Sequence, residues 1–126
     1  MDFKLQVVLV PVSDVDRARD FYSGQVGFNL DHEVSPTDEM RVVQLTPSGS
    51  DCSIVLGEGL PQGEPGSLKG VQLTVDDIDA ARAQLAERGV QVSDVVQMGP
   101  EGTPGSRYVF FEDPDGNSWA VQEYKT

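Results

Sequence analysis

Apolar and polar residues alternate along several short stretches of the chain. In residues 71–75, Gln72 and Thr74 alternate with three aliphatic residues, the period-two pattern of a β-strand with one apolar face. Two other segments carry apolar residues at helical spacing, so each presents one apolar stripe to a sheet. These residues are Val15, Ala18, Phe21 and Tyr22 in the first segment, and Ile78, Ala81 and Leu85 in the second. The chain therefore combines strands with two helices.

The order strand, helix and run of strands occurs twice, so the sequence contains an internal repeat. Residues 7–19 align without gaps on residues 70–82 with six identities, and residues 45–56 align without gaps on residues 112–123. Two matches in the same order are far less expected by chance than one. We therefore predict two βαβββ modules.

Capping residues and glycines predict where the elements begin and end. Ser13 and Asp76 are expected to cap the helices at their N-termini, and Gly27 and Gly89 to end them in the left-handed conformation. The other strands are predicted at residues 28–34, 40–45 and 53–56, and at residues 90–96, 107–112 and 118–124. Residues 46–49 and 113–116, each with Pro and then Gly, are expected to form hairpin turns.

The length of 126 residues is that of one domain. We expect module 1 at about residues 1–58 and module 2 at about residues 70–126. The connector between them, about residues 59–69, is rich in Gly and Pro and is typical of an extended linker.

The charge and the cysteine content narrow the range of partners. The formal net charge is −12, and such a surface repels phosphate backbones and anionic headgroups, so we expect neither nucleic acid nor membrane as a partner. The single Cys52 cannot form an internal disulfide, and the first residues do not resemble a signal peptide. A cytoplasmic protein is therefore expected.

With its repeat, its VSDVDRARDFY opening and its DPDGNSW close, the chain resembles the vicinal oxygen chelate superfamily over nearly its full length. This superfamily includes glyoxalase I, bleomycin-resistance proteins, fosfomycin-resistance enzymes and extradiol dioxygenases. The resemblance implies an α+β fold in which two βαβββ modules form a cupped mixed sheet, with the helices outside and a ligand on the concave side. It also implies a homodimer.

Members of this superfamily usually hold a divalent metal at four positions, one on the first and one on the last strand of each module. The resemblance assigns these positions to Val7, Gly70, Ala120 and Ser53. None of these side chains is a suitable ligand for such a cation. The sequence therefore predicts no metal and no other cofactor. It is similar to the metal-free members that sequester antibiotics such as bleomycin.

Strand alternation predicts which residues line the concave side. If Val8, Val10 and Val12 face the helices, their neighbours face the opposite way. The predicted ligand-binding residues are Leu9, Arg41, Val43, Gln72, Thr74, Tyr108, Phe110, Ala120 and Gln122. Two alternatives stay open at this point: the two aromatic rings could fill a collapsed core, and Arg41 could simply pair with a carboxylate.

These features predict a metal-independent protein that sequesters a small aromatic or amphipathic molecule, with a negative field that favours cationic ligands. An alternative is a lyase or isomerase that either lacks the usual four metal ligands or holds a metal through non-standard ligands, and that uses Glu123, His32 or Tyr108 for proton transfer. A third hypothesis is that the concave side is occluded and that the protein acts through an interface, as a partner or regulatory subunit of another protein. No catalytic residue is assigned from the sequence.

Overall fold

The computed structural model describes residues 1–124 as two compact units. The first unit contains residues 1–68 together with the turn at residues 113–117, and the second contains residues 69–112 and the strand that begins at Ser118. Each unit has one four-stranded mixed sheet and one helical segment. The predicted pair of βαβββ modules is confirmed.

The first unit has the strand order β1-β4-β3-β2. Only the β1–β4 pair is parallel. A single turn of π-helix, Phe21–Val26, extends the first helix. The elements are β1 (Val7–Leu9), α1 (Val15–Asp20), β2 (Asn29–Val34), β3 (Arg41–Thr46) and β4 (Ser53–Glu58).

The second unit repeats this topology, with the strand order β5-β8-β7-β6 and a parallel β5–β8 pair. Its elements are β5 (Val71–Val75), α2 (Ile78–Glu87), β6 (Val96–Met98), β7 (Ser106–Glu112) and β8 (Ser118–Glu123). No helix within residues 1–124 is long and apolar enough to cross a membrane.

Both helices begin one residue later than the sequence predicts. The N-caps are Asp14 and Asp77, whose backbones are extended and whose carboxylates accept hydrogen bonds from backbone N–H groups three residues on. Ser13, the predicted cap of α1, instead donates from its hydroxyl to Asp115 at 2.6 Å. Gly27 and Gly89 have φ of 95° and 87°, as expected at the helix ends.

The strand predicted at residues 90–96 is largely wrong, because β6 begins only at Val96. Hydrogen bonds of Ser93 fix the segment before β6 in place of strand pairing. Its backbone N–H donates to the carbonyl of Phe110, and its hydroxyl accepts from the N–H of Phe110, both at 2.9 Å. Its carbonyl accepts from Nε of Arg82 on α2 at 2.8 Å. Ser93 therefore connects this segment to both β7 and α2.

Each unit has its own apolar core on the helix side of its sheet. In the first unit, Val10, Tyr22, Val43, Leu45 and Leu56 are fully buried. In the second unit, the rings of Phe111 and Trp119 stack with centroids 6.0 Å apart, beside the buried Ile78, Val109 and Val121. Trp119 is thus a core residue, as its position in the strand predicts.

Candidate functional site

The second sheet has two chemically different faces, which the strand register assigns. Residues opposite one another on neighbouring strands point to the same side. One row across the sheet is Gln72, Ala120 and Phe110, and the next is Thr74, Gln122, Tyr108 and Val96. Met98 and Ser106 form a third pair on the same side. We call these nine residues the aromatic face.

The other side of the second sheet faces α2. Glu123, at the end of β8, accepts a 3.0 Å hydrogen bond from the backbone N–H of Ile78 in the first turn of α2. Since Glu123 and Gln122 are neighbours in one strand, their side chains point to opposite sides. The aromatic face is therefore the side without the helix.

The aromatic face is largely open in the single chain. Phe110 is 37 % exposed, Val96 41 % and Met98 49 %. Gln72 and Thr74 are also exposed, whereas Tyr108 is half-buried. Val96 and Met98 are absent from the predicted ligand-binding set, because the strand predicted at residues 90–96 ends where β6 begins.

Tyr108 and Phe110 form a stacked pair on this face. Their ring centroids are 6.1 Å apart and their planes differ by 7°. We call these two parallel rings the ring platform. A planar ligand that packs against it gains by burying both its own apolar surface and that of the rings. They do not fill a collapsed core, which was the alternative left open by the sequence.

A pair of amides lies beside this platform. Nε2 of Gln72 donates to Oε1 of Gln122 at 2.6 Å. The side-chain carbonyl oxygen of Gln72 and the side-chain NH2 group of Gln122 make no hydrogen bond to any residue between 1 and 124. The pair therefore presents one acceptor and one donor, in fixed positions, to a molecule on the aromatic face.

An ionic cluster occupies the helix side of the same sheet. Arg107 donates to Asp79 of α2 and to Glu123, each at 3.0 Å. The hydrogen bond to Asp79, followed by that to Glu123, raises the pKa of Arg107 above its ordinary value. Glu123 thus accepts hydrogen bonds from Arg107 and from the first turn of α2. Its side chain points to the side opposite Ala120, as predicted.

The first sheet carries a polar cluster on the side away from α1. The carboxylate of Asp31 accepts hydrogen bonds from Thr46 and Gln44, and the hydroxyls of Thr46 and Ser53 are 2.6 Å apart. The hydrogen bond from Thr46, then that from Gln44, lowers the pKa of Asp31. A bulge between Leu30 and His32 places Asp31 here, and sequence alternation alone does not reveal such a bulge.

The prediction that Arg41 and Val43 share a face with Leu9 is wrong. Leu9 pairs with Val55, which pairs with Gln44, so Leu9 lies on the side away from α1. Val43 precedes Gln44 in β3, so its side chain points to the opposite side, the helix side, where it is fully buried. Arg41, two residues before Val43, donates to Asp16 of α1 at 2.7 Å and to Glu33 at 3.1 Å.

The error has a simple geometric cause. The hairpin β3–β4 has six connecting residues, 47–52, whereas β7–β8 has five, 113–117. The ungapped alignment of residues 45–56 on residues 112–123 is therefore shifted by one residue on β3 and by two on β4. The shift of one residue on β3 reverses the facing of every residue in that strand. In the corrected alignment Arg41 corresponds to Arg107, and each pairs with an acidic residue of its own helix.

The shift of two residues on β4 changes one of the four expected metal positions. The structural counterpart of Ala120 is Val55, not Ser53, because Ser53 corresponds to Ser118 at the start of the last strand. Val7, Gly70, Ala120 and Val55 offer no side-chain donor to a cation. Among residues 1–124, no group of three or more His, Cys, Asp or Glu side chains could hold a metal ion. The donor set does not fit the metal of the superfamily.

Two other candidate residues, His32 and Cys52, belong to the first unit. His32 is exposed on β2, opposite Gln44. Cys52 is half-buried in the turn before β4, with its Sγ 3.7 Å from the carbonyl oxygen of Ser53. Of the three residues suggested for proton transfer, only Tyr108 lies on the aromatic face.

Comparison with known proteins agrees with this architecture. Residues 4–121 match the Glyoxalase/Bleomycin resistance protein/Dioxygenase superfamily. The chain belongs to this superfamily. The resemblance derived from the repeat and the two motifs is therefore confirmed at the level of the superfamily.

Several members of the superfamily are similar over most of this chain. The structure of TnmS3, an antibiotic binding protein from Streptomyces sp. CB03234, has 43% sequence identity and a TM-score of 0.79, covering 96% of this chain and 95% of that one. A superfamily member from Sphaerobacter thermophilus DSM 20745 has 32% identity and a TM-score of 0.81, covering 98% of each chain. A glyoxylase-like domain-containing protein from Didymella fabae is 31% identical over 89% of this chain and 87% of its own length.

Proposed function

We propose that this protein binds and sequesters a small aromatic or amphipathic molecule without the help of a metal ion. The observation that carries the proposal is the aromatic face, where a stacked ring pair adjoins a fixed amide pair on an open side of the sheet. The similarity to an antibiotic binding protein at 43% identity supports the same class of function.

The residues of the aromatic face have the chemistry that this function needs. Phe110 and Tyr108 provide apolar area for stacking, and Val96 and Met98 extend that area to the edge of the sheet. Ligand sites in proteins commonly combine such apolar lining with a few polar groups that fix orientation. Here those groups are Gln72, Thr74 and Gln122, with the small Ala120 leaving room between the strands.

Leu9 of the first sheet is kept in the proposed ligand-binding set as a further apolar residue. Leu9 is half-buried on the side of β1 away from α1. Arg41 and Val43 are removed from the proposed ligand-binding set, because both face the helix.

The metal-free character of the protein is part of the proposal. It is supported by the residues at the four expected positions, which offer no side-chain ligand to a cation. Metal analysis of protein purified without a chelator tests it directly. A transition metal bound in a one-to-one ratio and retained through dialysis would contradict it.

We also propose a cytoplasmic homodimer. The proposal rests on the superfamily membership and on the single cysteine, since secreted domains of this size commonly carry disulfide pairs. Analytical ultracentrifugation at micromolar concentrations is expected to give the mass of two chains. A mass of one chain would contradict the dimer.

Isothermal titration calorimetry with a panel of planar aromatic compounds tests the binding function. We expect at least one compound class to bind, and the Phe110→Ala variant to bind it about tenfold more weakly, because half of the ring platform is lost. Phe3→Ala, which removes an exposed ring from the N-terminal segment, is the matched control and is expected to bind as the parent does. The proposal fails if no compound binds, or if both variants are equally affected.

The alternative of a lyase or isomerase is less well supported by the geometry. Tyr108 and Glu123 lie on opposite faces of one sheet, so they cannot act on the same substrate molecule as acid and base. Glu123 is in addition bonded to Arg107 and Ile78. Among the nine residues of the aromatic face, Tyr108 is the one with a titratable side chain, and we therefore prefer the binding function.

A further inference from the structure

We propose that Glu112 makes the aromatic face selective for aromatic molecules that carry a positive charge. The inference rests on the proposed binding function and adds to it the class of ligand and the residue that selects it. It concerns the end of β7, one row beyond Phe110 on the same face.

The strand register places Glu112 beside the ring platform. Glu112 pairs with Ser118, and Phe110 pairs with Ala120, so both residues of β7 point to the side of the aromatic face. Residues two positions apart on a strand are separated by about 7 Å. A carboxylate at this distance from a stacked ring can reach an amino group attached to a ligand that lies on that ring.

The side chain of Glu112 is available for such a contact. It is exposed, and it forms neither an ion pair nor a hydrogen bond with any residue of the part that the structure describes. In contrast, two acidic residues on the helix side are paired, because Asp79 and Glu123 both accept hydrogen bonds from Arg107. Glu112 is thus the carboxylate of this sheet that no described residue pairs with, so a ligand can pair with it.

The nine residues of the aromatic face are themselves uncharged. The net charge of −12 attracts cations to the whole molecule but does not favour one place on it. Glu112 supplies the localised charge that orients an aromatic cation, with its rings on Tyr108 and Phe110 and its amino group at the end of β7.

The first unit lacks this arrangement at the equivalent positions. There Gln44 stands where Phe110 stands, and Thr46 stands where Glu112 stands, and both bond to Asp31. At these equivalent positions the first unit therefore has no ring beside an unpaired carboxylate, and the selectivity is assigned to the second unit.

The test compares proflavine, a three-ring dye that is protonated near neutral pH, with acridine, which has the same rings and is neutral there. Both are titrated by calorimetry into the full chain and into the Glu112→Gln and Glu87→Gln variants. Glu87 is exposed at the end of α2, so Glu87→Gln removes the same charge from the helix side of the same unit. Phe110→Leu serves as a variant that weakens both dyes.

The parent protein is expected to bind proflavine more tightly than acridine. Glu112→Gln is expected to weaken proflavine by about three- to fivefold, the range of a partly exposed ion pair, and to leave acridine unchanged. Glu87→Gln is expected to leave the affinity ratio of the two dyes unchanged. Added salt should reduce the preference of the parent for proflavine, and should reduce that of Glu112→Gln by a smaller factor, because only the attraction by the net charge is left to screen.

Each other outcome has a distinct meaning. If both dyes bind and are weakened by Phe110→Leu, but Glu112→Gln leaves their ratio unchanged, the role of Glu112 is wrong and the binding function stands. Equal losses in Glu112→Gln and Glu87→Gln also overturn the role of Glu112, because net charge then explains the preference. If neither dye binds to the parent protein, the inference fails, and the binding function is judged on the wider panel of compounds.

Discussion

The hydroxyl of Tyr22 donates a 2.7 Å hydrogen bond to Oδ2 of Asp113, a buried carboxylate that lies 91 residues further along the chain. Tyr22 follows α1 in the first repeat, whereas Asp113 begins the last turn of the second repeat. Both belong to the first compact unit. A turn from the second repeat thus completes the core of the first.

Tyr22→Phe is expected to destabilise the protein by about 1–3 kcal/mol, because the buried carboxylate loses a donor that water does not replace. Urea unfolding followed by circular dichroism measures the change in the free energy of unfolding. Tyr124→Phe removes a hydroxyl from an exposed ring and should change this free energy by less than about 0.5 kcal/mol. Similar values for the two variants would mean that the Tyr22–Asp113 bond contributes little.

Asn117 is expected to be more sensitive than Tyr22. Its side chain is fully buried, donates to the carbonyl of Pro11 and to Asp113, each at 2.8 Å, and accepts from the N–H of Leu68 at 3.0 Å. Asn117→Ala leaves these partners unsatisfied, and we expect a loss of about 3 kcal/mol or more. The same unfolding experiment measures it.

Asn29→Ala is the control for Asn117→Ala. Asn29 is exposed and donates to Ser48 at 3.3 Å, so its loss should cost less than about 0.5 kcal/mol. If Asn117→Ala unfolds no more easily than Asn29→Ala, the turn at residues 113–117 does not support the first unit in the way described.

Arg41→Ala is expected to leave ligand affinity unchanged, in contrast to Gln122→Ala, which removes one of the two orienting amides of the aromatic face. The reason is that Arg41 lies on the helix side of the first sheet. Calorimetric titration of the best-binding compound from the panel compares the two variants. A larger loss in Arg41→Ala than in Gln122→Ala would contradict the assignment of the faces.

Stability is expected to fall in acid partly through the ionic cluster around Arg41. The hydrogen bond from Arg41 lowers the pKa of Asp16 below its ordinary value of 3.8. Hydrogen bonds from Arg19 and then Arg41 lower the pKa of Glu33 below 4.5. A carboxylate with a lowered pKa in the folded state stabilises it above the unfolded pKa, and this contribution is lost as the pH falls through the folded pKa.

The melting temperature should therefore decrease most steeply below about pH 4. Arg41→Met returns the pKa of Asp16 toward its ordinary value, and the difference in melting temperature from the parent should be largest at neutral pH and shrink in acid. Lys4→Met, an exposed cation of the N-terminal segment, is the control and should show a smaller difference at neutral pH. A constant difference for Arg41→Met at every pH would contradict the role of these ion pairs.

Local patterns in the chain predicted most of the architecture. Alternation in residues 71–75, helical spacing after Asp14 and Asp77, and the Pro–Gly turns each depend on a few neighbouring residues, so they can be read without knowledge of distant contacts. The facing of β5, β7 and β8 also followed from alternation, and with it the grouping of Tyr108, Phe110 and Gln122.

Contacts and lengths outside these local patterns decided the rest. One extra residue in the turn at 47–52 reverses the facing of Arg41 and Val43, and a bulge at Asp31 brings a carboxylate to Gln44 and Thr46. The turn at residues 113–117 joins the first unit through hydrogen bonds to residues about a hundred positions away.

The sequence by itself determined the repeat, the order of helices and strands, the superfamily and six of the nine residues of the aromatic face. Only the tertiary structure decided which way the residues of β3 face in the first sheet, and which unit the turn at residues 113–117 completes. The physical reason is that strand periodicity gives the relative facing within one strand, whereas strand register and burial give the facing of one strand against the next.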